Sequence, residues 1–175
     1  CPFQPQTTLE LQTAVDMWVD DNATALATYG EINTWDVSLI TNMSELFKDK
    51  TTFNDDISNW NVSSVLHMDA MFNGATKFDQ DLSSWNVHSV TDMSQMFEGA
   101  TSFDQDLSGW TVSSVTNMKQ MFSGATSFDQ NLSNWGVSSV TNMDSLFFGA
   151  SSFDRDLSSW TVSSVLYMDG MFKNA

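Results

Sequence analysis

Basic residues are scarce: six Lys and Arg stand against 22 Asp and Glu, for a formal net charge of −16. Nucleic acid and anionic membrane surfaces are bound through a basic footprint, so neither is expected as a partner, while cations and basic proteins stay open. Cysteine is rarer still. With Cys1 as the only cysteine, the chain forms no internal disulfide and no thiolate metal cluster. Its place at the first residue leaves three readings: a lipid-carrying cysteine of bacterial type, half of an intermolecular disulfide, or the edge of a longer chain. Long apolar runs are also missing. None approaches the roughly 18 residues of a membrane-spanning helix, and there is no N-terminal hydrophobic leader, so a soluble, processed chain with no membrane insertion is expected.

What the sequence has in quantity is one sentence, repeated. Tryptophan stands at 35, 60, 85, 110, 135 and 160, methionine at 43, 68, 93, 118, 143 and 168, and phenylalanine at 47, 72, 97, 122, 147 and 172, with no insertion or deletion between copies. A strict period of 25 residues reads as a solenoid, in which each repeat buries its apolar face against its neighbours. Hydrophobic content of 41% is ample for that core and argues against a disordered acidic chain.

Before the repeats, Leu11, Val15, Trp18 and Val19 recur at helical spacing after Thr8, a candidate N-cap, and a second short helical pattern runs from Ala23 to Tyr29 and stops at Gly30. The expected organisation is an N-terminal segment with a helical cap over 1–30, followed by six repeats over 31–175, the last one cut short.

Within a repeat, Leu107-x-x-Trp110-x-Val112-x-x-Val115 reads as a short parallel strand. From Val115 the spacing turns helical, with Val115, Met118, Met121, Phe122 and Ala125 on one face, Ser114 or Thr116 at the start and Gly124 as the left-handed residue that ends it. Phe128 then anchors the return loop. The expected fold is therefore α/β: a right-handed, leucine-rich-repeat-like solenoid of strand, short helix and loop, with a parallel sheet and an N-terminal helical cap. The Trp, Met and Phe columns are read as core, the buried indoles requiring an acceptor for their N–H.

The string Leu-Ser-x-Trp-x-Val-Ser-Ser-Val-Thr-x-Met-x-x-Met-Phe-x-Gly-Ala-x-x-Phe-Asp-Gln-Asp, over residues 31–175, resembles the BspA-like leucine-rich-repeat surface proteins. Similar 25-residue repeats occur in mycoplasma and listerial surface proteins and in protists and algae. The segment Leu11–Trp35, with Ala27-Thr-Tyr-Gly30, looks like the one that precedes the repeats there. The resemblance implies a secreted or surface-displayed adhesion module without catalysis. The Lys-poor composition departs from the mycoplasma members and points towards a protist or algal one.

Candidate sites follow from what recurs. The strand face left outside the core carries Asn61/Ser63, Asn86/His88, Thr111/Ser113, Gly136/Ser138 and Thr161/Ser163, an uncharged, hydroxyl-rich surface expected to meet an extracellular protein or glycan. Asp79/Asp81, Asp104/Asp106, Asp129/Asn131 and Asp154/Asp156 recur at one loop, with Asn54/Asp56 as a weaker first copy. Oxygen-only ligands suit calcium, whereas caps of backbone amides need no cofactor. Asn22, Asn42, Asn61 and Asn131 begin Asn-x-Ser/Thr sequons, acceptors for N-glycosylation in a eukaryotic secretory pathway.

No enzyme is expected. His67 and His88 occupy non-equivalent repeat positions, and the carboxylates come in near-identical copies where catalysis needs one differentiated site. A carbohydrate-cleaving enzyme using the loop aspartates ranks low, with Arg155 the only arginine, as does ice binding through Thr-Val-Ser at 111–113 and 161–163, since Asn61, Asn86, His88 and Gly136 break that row. The leading expectation is extracellular or cell-surface adhesion. The alternative is a structural subunit of a filament, wall or appendage, assembling through the last coil, whose Val162, Val165, Met168, Met171 and Phe172 lack a following coil.

Overall fold

The computed structural model describes residues 2–175; the readings that fall on Cys1 lie outside the described residues. Two helices come first, α1 (Thr8–Asp20) and α2 (Asn22–Tyr29). Thr7, one residue earlier than the sequence suggests, caps α1 by accepting from the Glu10 N–H, and Glu10 reaches back to the Gln6 N–H. Asp21 caps α2, and Gly30, at φ 74°, ends it. The inward side of α1 buries Leu11, Ala14, Val15 and Trp18.

The repeats follow as stacked units, here counted as unit one (31–50), then 51–75, 76–100, 101–125, 126–150 and unit six (151–175). Their backbone corrects the expected fold class. Among the described residues there is no parallel sheet and no α-helix within the repeats, where the only helical element is a single 3-10 turn, Ile32–Thr34, at the start of unit one; each junction between units holds one isolated parallel bridge, along Asn42, His67, Asp92, Asn117, Asn142 and Tyr167. The α/β, leucine-rich-repeat-like reading therefore does not hold.

In its place, each unit is a series of tight turns. Trp85 N–H donates to Leu82 O at 3.0 Å, Val90 to Val87 at 3.0 Å, Met96 to Met93 at 3.2 Å, Ala100 to Phe97 at 3.1 Å and Phe103 to Ala100 at 3.1 Å. Both ends of each of these bonds belong to buried residues, while pairs such as Ser83-Ser84 and His88-Ser89 form the outward corners. An apolar spacing of three puts one inward residue at each end of a four-residue turn.

The segment expected to be helical is where the units join. Met93, Gln95, Phe97 and Gly99 donate their N–H groups to the carbonyls of Asn117, Lys119, Met121 and Ser123 at 2.8–3.0 Å, and Thr116 N–H returns a bond to Thr91 O at 2.9 Å. A helix would have turned those donors onto residues four back. Gln120, in the middle of the expected helix, stands at φ 55°, a left-handed conformation that a helix does not contain, and donates to Asp144 O. Gly124 is left-handed as expected, at φ 69°, but it ends no helix; a Cβ there would come within 3.7 Å of the Gly99 backbone. Trp110-Thr-Val112, expected as strand, makes no backbone bond to a neighbouring unit.

Side chains stack in columns through these joints. Phe97, Phe122 and Phe147 follow at 5.6 Å with planes within 8° of parallel, and Trp110, Trp135 and Trp160 at 6.5 Å. From unit two onwards each indole finds its acceptor in the unit before: Trp60 on Ile32 O, Trp85 on Ile57 O, Trp110 on Leu82 O, Trp135 on Leu107 O and Trp160 on Leu132 O, at 2.8–3.1 Å. A fully buried Phe, Met or Leu contributes about 1.5–3 kcal/mol relative to exposure, and these columns supply nearly all of the core.

Candidate functional site

The expected binding row is present as a line of turn corners, not as a sheet face. Asn61, Asn86, His88, Thr111, Ser113, Ser138, Thr161 and Ser163 are exposed and Ser63 is half-buried. Intervening Val62, Val87, Val112 and Val137 point inward and fix the spacing of the row. Asn61 Oδ1 accepts from the Ser63 N–H and hydroxyl, and Asn86 Oδ1 accepts from the His88 N–H and lies 2.8 Å from its Nδ1. In the later units Thr and Gly take the Asn place, so the outward chemistry changes from unit to unit while the inward chemistry does not.

The recurrent acidic loop divides into two kinds of position. The first residue of each pair ties one unit to the next: Asn54 Oδ1 accepts from the Asp79 N–H, Asp79 from Asp104, Asp104 from Asp129 and Asp129 from Asp154, at 2.8–3.0 Å. The glutamine that follows reinforces the tie, Gln105 Nε2 reaching Asp79 Oδ1 at 2.8 Å and Gln130 Nε2 reaching Asp104 Oδ1 at 2.9 Å. Arg155 replaces that glutamine and forms a two-pronged bond to Asp129, with Nη2 to Oδ2 at 2.7 Å. The Asp154 N–H and, after it, this guanidinium hold the Asp129 carboxyl below the ordinary carboxylate range against partial desolvation.

The second residue of each pair folds its own turn. Asp81, Asp106, Asn131 and Asp156 accept from the N–H of Ser83, Ser108, Ser133 and Ser158 at 2.8–2.9 Å. The serine hydroxyl and N–H hold Asp81 and Asp106 below the ordinary value, and the Ser158 N–H and hydroxyl do the same for Asp156. These bonds are those of amide caps. Among the described residues no group of three or more His, Cys, Asp or Glu side chains is placed to hold a metal ion.

The sequon residues Asn22, Asn42, Asn61 and Asn131 are all exposed. Asn42 also accepts from the Ser44 N–H at 2.8 Å, so three of the four hold a local turn with the amide that glycosylation would modify. The two histidines stay apart in role, His67 in the column of bridges and His88 on the exposed row.

A helical cap was expected from the sequence, but not the side chains that seat it. Thr8 Oγ1 donates to Asn42 O at 3.0 Å, Gln12 Nε2 to Leu46 O at 3.1 Å, and Asp16 pairs with Lys50 at 2.8 Å. Helix α1 thus covers the leading edge of unit one with side chains at every fourth residue. The polar residues on the repeat side of α1 carried the only signal, and it needed the partner edge to be interpreted.

Residues 16–122 and 105–175 match the family described as Mycoplasma protein of unknown function, DUF285. The chain belongs to that family. No curated protein and no solved structure matches it.

Proposed function

We propose that this chain is a non-catalytic binding module displayed outside the cell, akin to the BspA-like surface proteins, and that the row of turn corners from Asn61 to Ser163 meets an extracellular protein or glycan. One observation supports the reading above others: across the units the buried positions are nearly constant, whereas the first position of the exposed row runs Asn61, Asn86, Thr111, Gly136 and Thr161, and the second is serine in every unit but one, where it is His88. A framework that repeats its interior and varies one outer line offers a partner a surface of graded chemistry on a rigid support. Surface character also agrees with the near absence of basic residues, which leaves neutral hydroxyl and amide groups as the recognition chemistry.

The test compares the chain with a variant carrying His88→Glu, Thr111→Glu and Ser138→Glu, after both are shown to melt alike. Each is applied to a glycan array and to immobilised extracellular matrix proteins. Binding by the parent chain that the variant loses supports the reading. Equal binding by both, or none by the parent, removes the row as the recognition surface.

A further inference from the structure

A cleft of about 380 Å³ opens where α1, α2 and the first two units meet. It occurs once, at a place where the repeat changes its chemistry. In the later units the residue after the first loop position donates to the unit before: Gln80 to Asn54, Gln105 to Asp79, Gln130 to Asp104 and Arg155 to Asp129. One period before Asn54 stands Tyr29, which has neither carboxylate nor amide in its side chain, so a donor at residue 55 would lack that acceptor. The chain carries a carboxylate there instead, and Asp55 Oδ2 accepts from the Trp18 indole N–H at 2.8 Å.

The fold engages most carboxylates of this region. Asp21 accepts from the Thr24 N–H, Asp16 pairs with Lys50, and Asp56 accepts from the Ser58 N–H and the Asn33 amide. Two are left over in the cleft: among the described residues neither Asp55 Oδ1 nor the Glu31 carboxylate accepts a bond. They come from different elements, Glu31 from the start of unit one and Asp55 from the loop of unit two, and no Lys or Arg lines the cleft with them. Val19, Leu26 and Phe53 supply an apolar wall, of which Leu26 is 41% exposed, and Thr52 adds a hydroxyl.

We infer that this cleft receives one arginine side chain of a basic partner protein. A guanidinium presents five N–H donors in one plane and is more weakly hydrated than an ammonium, so it can serve both free carboxylates while its aliphatic stem covers Leu26 and its neighbours. A metal ion is the poorer occupant, since no group of three or more His, Cys, Asp or Glu side chains stands together among the described residues. The formal charge of −16 favours approach of a basic protein. The site uses no residue of the Asn61–Ser163 row and stands or falls apart from the reading of that row.

The experiment titrates the 175-residue chain with Nα-acetyl-arginine amide and, separately, with its uncharged counterpart Nα-acetyl-citrulline amide, following the Trp18 indole N–H resonance by NMR. The arginine compound shifts that resonance to saturation and the citrulline compound does not. Glu31→Gln, which removes no bond of the fold, weakens the arginine compound about fivefold with the melting curve unchanged, and Asp55→Asn, which keeps an acceptor for the indole, weakens it likewise. Absence of a saturable shift with the arginine compound, an equal shift with citrulline, or unchanged affinity in Glu31→Gln overturns the proposal.

Discussion

The two ends of the stack carry the same backbone and meet water in opposite ways. At unit one, Thr8 and Gln12 of α1 donate to the carbonyls of Asn42 and Leu46, so side-chain donors on a helix stand where a preceding unit would place its N–H groups, and one turn further on Asp16 accepts from the Lys50 ammonium. At unit six, Met168 to Asn174 face outward with unpaired donors. An α-helix advances about 6 Å in four residues, and the constant pairing of each fourth helix residue with each fourth residue of unit one shows that helix and unit edge keep step. A helix can therefore imitate a unit on its polar edge, which is how a repeat array is closed without another repeat.

The largest test of this comparison lies between the ends. Trp110→Ala removes a buried ring and leaves Leu82 O without its indole donor; the expected loss is ~3–5 kcal/mol in denaturant melts. A loss below about 1 kcal/mol would contradict the inward assignment of the column. Next come two methionines of one column in two settings. Met118→Ala, at a fully buried site, is expected to cost ~2–5 kcal/mol, and Met168→Ala, at the open end, less than about 0.5 kcal/mol. Equal losses would mean that the end of unit six is covered in solution.

The closed end is probed by Gln12→Met, which keeps the bulk of the side chain and removes its bond to Leu46 O. A loss of about 0.5–1.5 kcal/mol is expected, with faster amide exchange confined to α1 and unit one; uniform change along the stack would deny that α1 acts as a local cap.

Acid provides a gentler probe. Asp81, Asp106 and Asp156 are held below the ordinary value of 3.8, so the folded chain takes up their protons less readily than the unfolded one. Their stabilisation is present above that value and is lost as the pH falls through the lowered ones. Asn131 already occupies the equivalent place in unit five and still accepts from Ser133. Asp106→Asn, which keeps an acceptor for Ser108 but not the charge, should therefore lower the Tm at pH 7 slightly and reduce the drop in Tm between pH 7 and pH 3; an undiminished drop would show that this carboxylate takes no part. The smallest expected effect is that of a chelator. Because the recurrent aspartates are engaged by backbone amides, melting curves with chelator and with millimolar calcium should superimpose, and a rise in Tm with calcium would restore the metal reading of that loop.

Much of this was legible along the chain. The apolar periodicity over Leu11–Trp18 marked α1, and the Trp, Met and Phe columns marked the core, because burial follows residue type and spacing whatever the backbone does between. The Asp-x-Ser and Asn-x-Ser turns were legible too, since a carboxylate or amide two residues before a serine N–H needs no distant partner. The strand and the short helix were misread for one reason. Val112, Val115, Met118 and Met121 are spaced by three, and a three-residue period fits a helix face closely enough to pass for one, while it fits serial four-residue turns better.

By itself, the sequence determined the 25-residue period, which side chains lie inside, and the local caps and turns, all of which depend on residues near in the chain or on composition. The tertiary structure alone decided where the backbone donors go. Whether Gln120 N–H turns back along its own segment or out to Asp144 depends on a carbonyl in the next unit, and once that carbonyl stands in line, left-handed residues every few positions are held in place by bonds that no single unit contains. The cap by Thr8 and Gln12 has the same origin, for their acceptors lie 34 residues away and exist as an edge only after unit one has formed.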